Sequence, residues 1–96
     1  MTLDEFKASL SEAAPPAAGG EALKALWYDG KGNWNRAHEI AQDIDDKTGA
    51  WVHAYLHRKE GDAGNAAYWY HRAGRAVVRE QPLEAEWEHI VSTLLE

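Results

Sequence analysis

The chain has 96 residues, enough for one domain with a single modest core. Its formal net charge is −6, from 10 basic and 16 acidic side chains, which argues against a protein that binds nucleic acid through phosphate contacts. The chain has no cysteine, which excludes disulfides and thiolate metal sites and suits a reducing compartment.

The N-terminal segment predicts a capped helix and no targeting signal. Thr2 and Glu5 have the spacing of a capping box, and apolar residues recur on one helical face from Leu3 to Ala13. The acidic residues here do not fit a signal peptide, and the chain has no apolar run of about 18 residues that would cross a membrane. We therefore expect an N-terminal helix within residues 1–14 and a cytoplasmic protein without membrane contact.

Prolines and glycines divide the remainder of the chain into further helices. Pro15 and Pro16 end the first helix, and residues 15–20 are expected to form a flexible connector. Gly32 and Gly61 are expected at tight turns, because glycine favours the left-handed conformation that follows many helices. The further helices are expected over residues 21–28, 34–44, 48–60, 62–76 and 82–96. The sequence thus predicts an all-α domain of about six helices.

Polar residues at the helix starts and apolar residues along the helix faces support these assignments. Asn33, Thr48 and Asp62 are the expected N-cap residues, and Pro82 is expected at the first position of the last helix. The five tryptophans fall one in each of the last five helices, where each can anchor a packed layer. The buried face of the last helix is predicted to consist of Leu83, Trp87, Ile90, Val91 and Leu94.

An internal repeat relates the second and third helices to the fourth and fifth. A shift of 29 residues places Gly32 on Gly61 and Ala37 on Ala66. At these residues, together with Asp62, Tyr70 and Ala73, the chain resembles the tetratricopeptide-like repeat family and its Sel1-like relatives. The resemblance covers residues 21–75 and implies two stacked helical hairpins that bind other proteins, with residues 1–14 and 82–96 as capping helices. The stretches WVHAYLHRKEGD and NAAYWYHRAGR also resemble small bacterial proteins of unassigned function.

Two histidines raise the question of a metal site. His53 and His57 lie four residues apart on one predicted helix face, a spacing at which two imidazoles can share a zinc ion. His71 on the following helix is the candidate third ligand, and Glu60 extends the row. Ala54 stands where a zinc metalloprotease motif needs glutamate, which excludes that motif. We expect one ring to pack between helices and the other to meet solvent, with no metal or other cofactor bound; His53, His57 and His71 are the weak metal candidates.

A second set of polar residues predicts a binding surface. Tyr68, Trp69 and Tyr70 are consecutive, so they cannot all face one core, and Tyr70 is the one expected inside. Tyr68 then shares a helix face with Arg72, Arg75 and Arg79. A ring beside guanidinium groups suits a carboxylate or phosphate ligand, whereas the alternative is a solvated charged face paired with glutamates of the last helix.

These observations favour a small helical-repeat binding module that is not an enzyme and that recognises a protein partner or an acidic small ligand. The candidate binding residues are His53, His57, Arg58, Tyr68, His71, Arg72 and Arg75. One alternative is a small metal-binding protein or enzyme that uses His53 and His57. Another is a structural subunit of a homo-oligomer, and the patterns leave both a monomer and a homodimer open. Nucleic-acid and membrane partners are not expected.

Overall fold

The computed structural model describes residues 1–17 and 19–96, which form six α-helices and one short 3-10 helix, with no β-strand among them. The 3-10 helix spans Ser9–Ser11, and the α-helices are α1 (Leu3–Ala8), α2 (Glu21–Gly30), α3 (Trp34–Gln42), α4 (Lys47–Glu60), α5 (Ala63–Arg72) and α6 (Leu83–Leu95). The predicted all-α class is confirmed. Each helix of the described chain is too short or too polar to cross a bilayer.

Several helix starts use the predicted capping residues. The Thr2 hydroxyl accepts a hydrogen bond from the amide of Glu5, and the Glu5 carboxylate accepts one from the amide of Thr2, which completes the capping box. Asn33 caps α3 and Asp62 caps α5 through their side-chain oxygens. These contacts satisfy amide groups that lack partners within the helix.

Two predicted helix starts are wrong by one residue or two. Asp46, not Thr48, caps α4: its carboxylate accepts a hydrogen bond of 2.8 Å from the amide of Gly49. A carboxylate also favours the positive end of the helix dipole, so the helix begins at the earlier residue. Pro82 lies at the N-cap with ψ of 141°, outside the helix, and α6 begins at Leu83.

Two predicted helix ends are wrong by four residues or more, and the ends of α2 and α3 differ from the predicted ones by two residues. The first helix was expected to reach Ala13, but α1 ends at Ala8 and continues as the 3-10 turn, where the hydroxyl groups of Ser9 and Ser11 donate to backbone carbonyls of the preceding turn. The expected flexible connector over residues 15–20 includes residue 18, which lies outside the described residues.

The fifth helix ends at Arg72 instead of reaching Ala76. Gly74 has φ of +71°, and the amides of Gly74 and Arg75 donate to the carbonyls of His71 and Tyr70. This is the pair of hydrogen bonds that closes a helix with a left-handed glycine, and the same arrangement follows α4 at Gly61. The chain after Gly74 therefore leaves the helix axis, and the predicted row of arginines is interrupted.

The core forms around α4, which packs against α2, α3, α5 and α6. Consecutive helices pack in pairs, α2 against α3 and α4 against α5, while α6 also contacts α1 and α2. Tyr70 of α5 is buried as predicted, and Ala66, four residues earlier on the same helix, is also buried. On α6, Trp87, Ile90 and Val91 are buried, but Leu83 is 37% exposed because it lies at the start of the first turn, at the rim of the core.

Two buried carboxylates link the core helices. Glu86 of α6 accepts hydrogen bonds of 2.6 and 2.8 Å from the Tyr70 hydroxyl and one of 2.9 Å from Arg58. Asp29 of α2 accepts one from the Tyr55 hydroxyl at 3.0 Å and one from the Lys59 ammonium at 2.9 Å. Burial raises the pKa of both tyrosines, so their hydroxyl groups remain protonated donors.

Candidate metal centre

Three histidines from two adjacent helices form one cluster in the structure. His53 and His57 lie on α4, and His38 lies on α3. The Nε2 atoms of His53 and His38 are 3.0 Å apart and share a hydrogen bond, and one ring nitrogen from each histidine lies within 4.8 Å of those of the other two. The cluster, which we call the histidine triad, therefore places three nitrogen atoms close enough together to be candidate ligands of a single metal ion.

The helix geometry explains how the triad forms. Residues four apart lie on the same face of an α-helix, so the rings of His53 and His57 stack with centroids 4.7 Å apart. This face of α4 packs against α3, which brings the ring of His38 to 4.7 Å from His53 and 5.2 Å from His57. Both α4 histidines are buried, 6% and 8% exposed, so the expectation that one of them meets solvent is wrong. The reason is that α3 and α5 cover the two sides of this face.

Two tryptophans hold the imidazole rings in place. Trp34 stacks on His38 with centroids 4.9 Å apart and planes 9° from parallel, and Trp69 stacks on His53 at 4.0 Å and 21°. The indole nitrogen of Trp34 donates a 2.8 Å hydrogen bond to the carbonyl of Leu56, which fixes that ring in turn. The triad is therefore held by packing and does not depend on a ligand to position its rings.

Electrostatics favour the neutral form of two rings. Burial lowers the pKa of His53 to about 4, and the neighbouring His57 and His38 add to this effect. Burial also lowers the pKa of His38. Near pH 7 both rings are thus neutral, and a neutral imidazole has a lone pair available to a metal.

The third ring has a carboxylate partner. The Nδ1 atom of His57 lies 2.6 Å from the Glu60 carboxylate, one helical turn further along α4. In a neutral ring that donates its Nδ1 proton to Glu60, the lone pair lies on Nε2. Metal-binding histidines are commonly oriented by such a carboxylate, so Glu60 fits the role of an outer partner to His57.

The predicted third metal candidate is not part of this cluster. His71 is exposed near the C-terminal end of α5, and the third member of the cluster is His38 instead. His38 went unnoticed because it is isolated in the sequence. It does share a helix face with Trp34 and Ala41, a stripe that points toward a neighbouring helix, and this was the available signal.

The other predicted binding residues fall into two groups. Arg58 and Arg75 contact residues of the core: Arg58 donates to Glu86 and to the carbonyl of Gln81, and Arg75, although exposed, lies 3.3 Å from the centroid of the Trp51 ring. Arg58 is therefore part of the core, because its positive charge compensates the buried carboxylate of Glu86. Tyr68 and Arg72 remain together at the surface, where Tyr68 is 52% exposed and the guanidinium donates a 3.1 Å hydrogen bond to its hydroxyl group.

A pocket of about 240 Å³ borders the histidine triad at His53. It is lined by Trp69 and Arg72 from α5 and by residues of the turn between α3 and α4. The charged lining residues on this side are Asp45 and Asp46 of the turn and Lys47, the first residue of α4, all exposed. The pocket thus leads from solvent to one of the three imidazoles.

No protein-family model, curated protein or solved structure matches the chain. The arrangement of its side chains is therefore the basis for assigning a function. The relation of the two helix pairs to tetratricopeptide-like repeats stays a prediction from the sequence.

Proposed function

We propose that this protein binds a divalent transition metal of the zinc class through His38, His53 and His57. The observation that carries the proposal is the convergence of three imidazole nitrogens, two of them 3.0 Å apart. Two nitrogen ligands about 2.0–2.1 Å from one tetrahedral zinc ion lie about 3.3 Å from each other. The distance between the Nε2 atoms of His53 and His38 thus differs by only a few tenths of an ångström from the distance between two nitrogen ligands of one zinc ion.

The donor set selects the class of metal. Imidazole nitrogens suit zinc, copper, nickel and iron, whereas magnesium and calcium prefer oxygen ligands. Burial keeps His53 and His38 neutral, so neither ring has to release a proton to the solvent before it binds an ion. One of the two donates its Nε2 proton to the other in the metal-free protein, and that ring must hold its proton on Nδ1 when a metal binds. The ion would also link α3 to α4 and so join the two helix pairs.

A second group of potential ligands is less suited to a metal. His57, Glu60 and Asp62 also place one ligand atom each within 4.8 Å of one another. The Asp62 carboxylate, however, accepts hydrogen bonds from the amide and side chain of Asn65 at the start of α5. Metal binding there would cost the α5 cap, about 1 kcal/mol, so the histidine triad is the preferred site.

Calorimetric titration of zinc into chelator-treated protein tests the proposal. We expect about one ion per chain with a dissociation constant tighter than about 1 µM, checked by elemental analysis after gel filtration. His38→Ala should abolish tight binding, as should His53→Ala or His57→Ala. The matched control is His71→Ala, which removes an exposed histidine outside the triad and should bind zinc as the parent protein does.

Folding of each variant is checked by circular dichroism, because all three triad residues pack in or beside the core. A folded His38→Ala variant that retains full affinity would contradict the proposal, and so would a parent protein that binds no zinc. The parent measurement alone decides the question if every triad variant fails to fold.

We propose, as a second function, recognition of an acidic protein partner or ligand at Tyr68 and Arg72. It is supported by the exposure of Tyr68 and by the position of the Arg72 guanidinium, 5.8 Å from the Tyr68 ring and 5.2 Å from the Trp69 ring. Tyrosine and arginine are enriched among residues that dominate binding energies. Titration with a glutamate-rich peptide should give saturable binding that Tyr68→Ala removes. Non-saturable binding, or binding unchanged in Tyr68→Ala, would refute it.

The homo-oligomer remains a further proposal from the sequence, and light scattering at high concentration tests it. A monomer would exclude it.

A further inference from the structure

The pocket beside His53 reaches one member of the histidine triad from the protein surface. His53 is buried, whereas Lys47 and Arg72, which line the same pocket, are exposed. The ring of Trp69 forms part of the wall and stacks on His53 at 4.0 Å. A small molecule in this pocket would therefore contact one member of the triad, an aromatic ring and two cations.

The charges of the pocket make anion binding depend on the metal. Within the described part of the chain, neither Lys47 nor Arg72 lies within 4.0 Å of a carboxylate oxygen. Two carboxylates, Asp45 and Asp46, also line the pocket, so its formal charge is zero when His53 is neutral. Asp46 is already engaged with the amide of Gly49. A dication at the triad would give the site a net positive charge, and its attraction for an anion would be strong in this partly enclosed space.

We propose that the metal-loaded protein binds a small carboxylate ligand in this pocket, with Arg72 and Lys47 as its anion contacts. This inference rests on the proposed metal-binding function. Three histidine ligands leave one position of a four-coordinate zinc site open, and a carboxylate oxygen is a suitable fourth ligand. The planar guanidinium of Arg72 matches the two oxygens of a carboxylate.

Cobalt(II) in place of zinc provides the measurement, because its visible absorption responds to the ligands around the ion. Chelator-treated protein is loaded with cobalt and titrated with acetate, and the same titration with chloride at equal ionic strength is the control for a general anion effect. We expect saturable spectral change with acetate and little with chloride. Arg72→Met should weaken acetate binding by about tenfold and leave the cobalt affinity within about twofold. Arg36→Met, an exposed arginine of α3 that does not line the pocket, should change neither affinity.

The outcomes separate the two proposals. Failure of cobalt and zinc to bind would overturn metal binding and, with it, the carboxylate site. Cobalt binding with a spectrum that acetate leaves unchanged, or that chloride changes equally, would overturn the carboxylate site alone. Equal acetate affinity in Arg72→Met and the parent would also overturn it, because the ligand would then not occupy this pocket.

Discussion

Replacement of Arg58 with methionine should destabilise the fold by about 3 kcal/mol, because the change leaves a carboxylate buried without its cation. Glu86 is 1% exposed, and the Arg58 side chain is 13% exposed, with 2.9 Å between the guanidinium nitrogen and the carboxylate oxygen. Breaking a buried ion pair by removing one partner costs about 3–5 kcal/mol. The Tyr70 hydroxyl continues to donate to Glu86, which places the expected loss near the lower limit.

Thermal and urea unfolding measure this loss. For a domain of this size about 3 kcal/mol corresponds to a fall in melting temperature of about 12–24 °C. Arg36→Met is the matched control, since Arg36 forms an exposed pair with Glu39 at 4.0 Å and lies 5.7 Å from the Tyr28 ring centroid, and its replacement should cost less than about 1 kcal/mol. Adding Glu86→Gln to Arg58→Met should restore part of the stability, because glutamine is neutral and can still accept from Tyr70. If Arg58→Met costs no more than Arg36→Met, the buried carboxylate does not depend on Arg58 and the reasoning is refuted.

Three further predictions concern the triad and the helix packing. In metal-free protein, the free energy of unfolding should fall by up to about 3 kcal/mol as the pH drops from 6.5 toward 4. The reason is that the pKa of His53 is about 4 in the folded protein and near 6.5 in the unfolded chain. Between these two values the unfolded chain takes up a proton that the native state does not, and protonation therefore favours unfolding. Urea midpoints at pH 7 and 4.5 measure this, and an equal loss in His53→Leu would contradict the assignment. Ala66→Leu should lower the stability of the fold by about 1–3 kcal/mol, because Ala66 is 3% exposed and has no room for a larger side chain. Ala63→Leu, on the exposed side of α5, should cause no such loss. Equal melting temperatures for the two variants would show that the core accommodates leucine at residue 66. Arg72→Ala should leave the melting temperature nearly unchanged, because Arg72 is exposed, and a loss above about 1 kcal/mol would indicate a structural role.

The features that the sequence predicts well are those set by neighbouring residues. Thr2 with Glu5, Asn33 and Asp62 cap helices as expected, because an N-cap bond spans only three residues. Gly61 ends α4 in the left-handed conformation for an equally local reason. The end of α5 at Gly74 depends on the same chemistry and was missed because the helical pattern of apolar residues continues past that glycine.

The candidate site depends on contacts between helices, which one sequence does not specify. His53 and His57 are recognisable from their spacing, but the choice between His38 and His71 as third member depends on which helix covers that face of α4. Arg58 reads as a surface residue because charged side chains are usually exposed. Its partner Glu86 lies on α6, and only the packing of that helix against α4 shows that both side chains belong to the core.

The two tryptophans beside the triad give the protein an internal optical reporter. Trp69 lies against His53 and Trp34 against His38, so each indole is in van der Waals contact range of an imidazole that would gain a metal ion. Indole emission is sensitive to nearby charge and is quenched by a paramagnetic ion such as copper(II). Occupancy of the cluster can therefore be followed by intrinsic fluorescence without a label, and Trp34→Phe and Trp69→Phe assign the signal to one side of the cluster or the other.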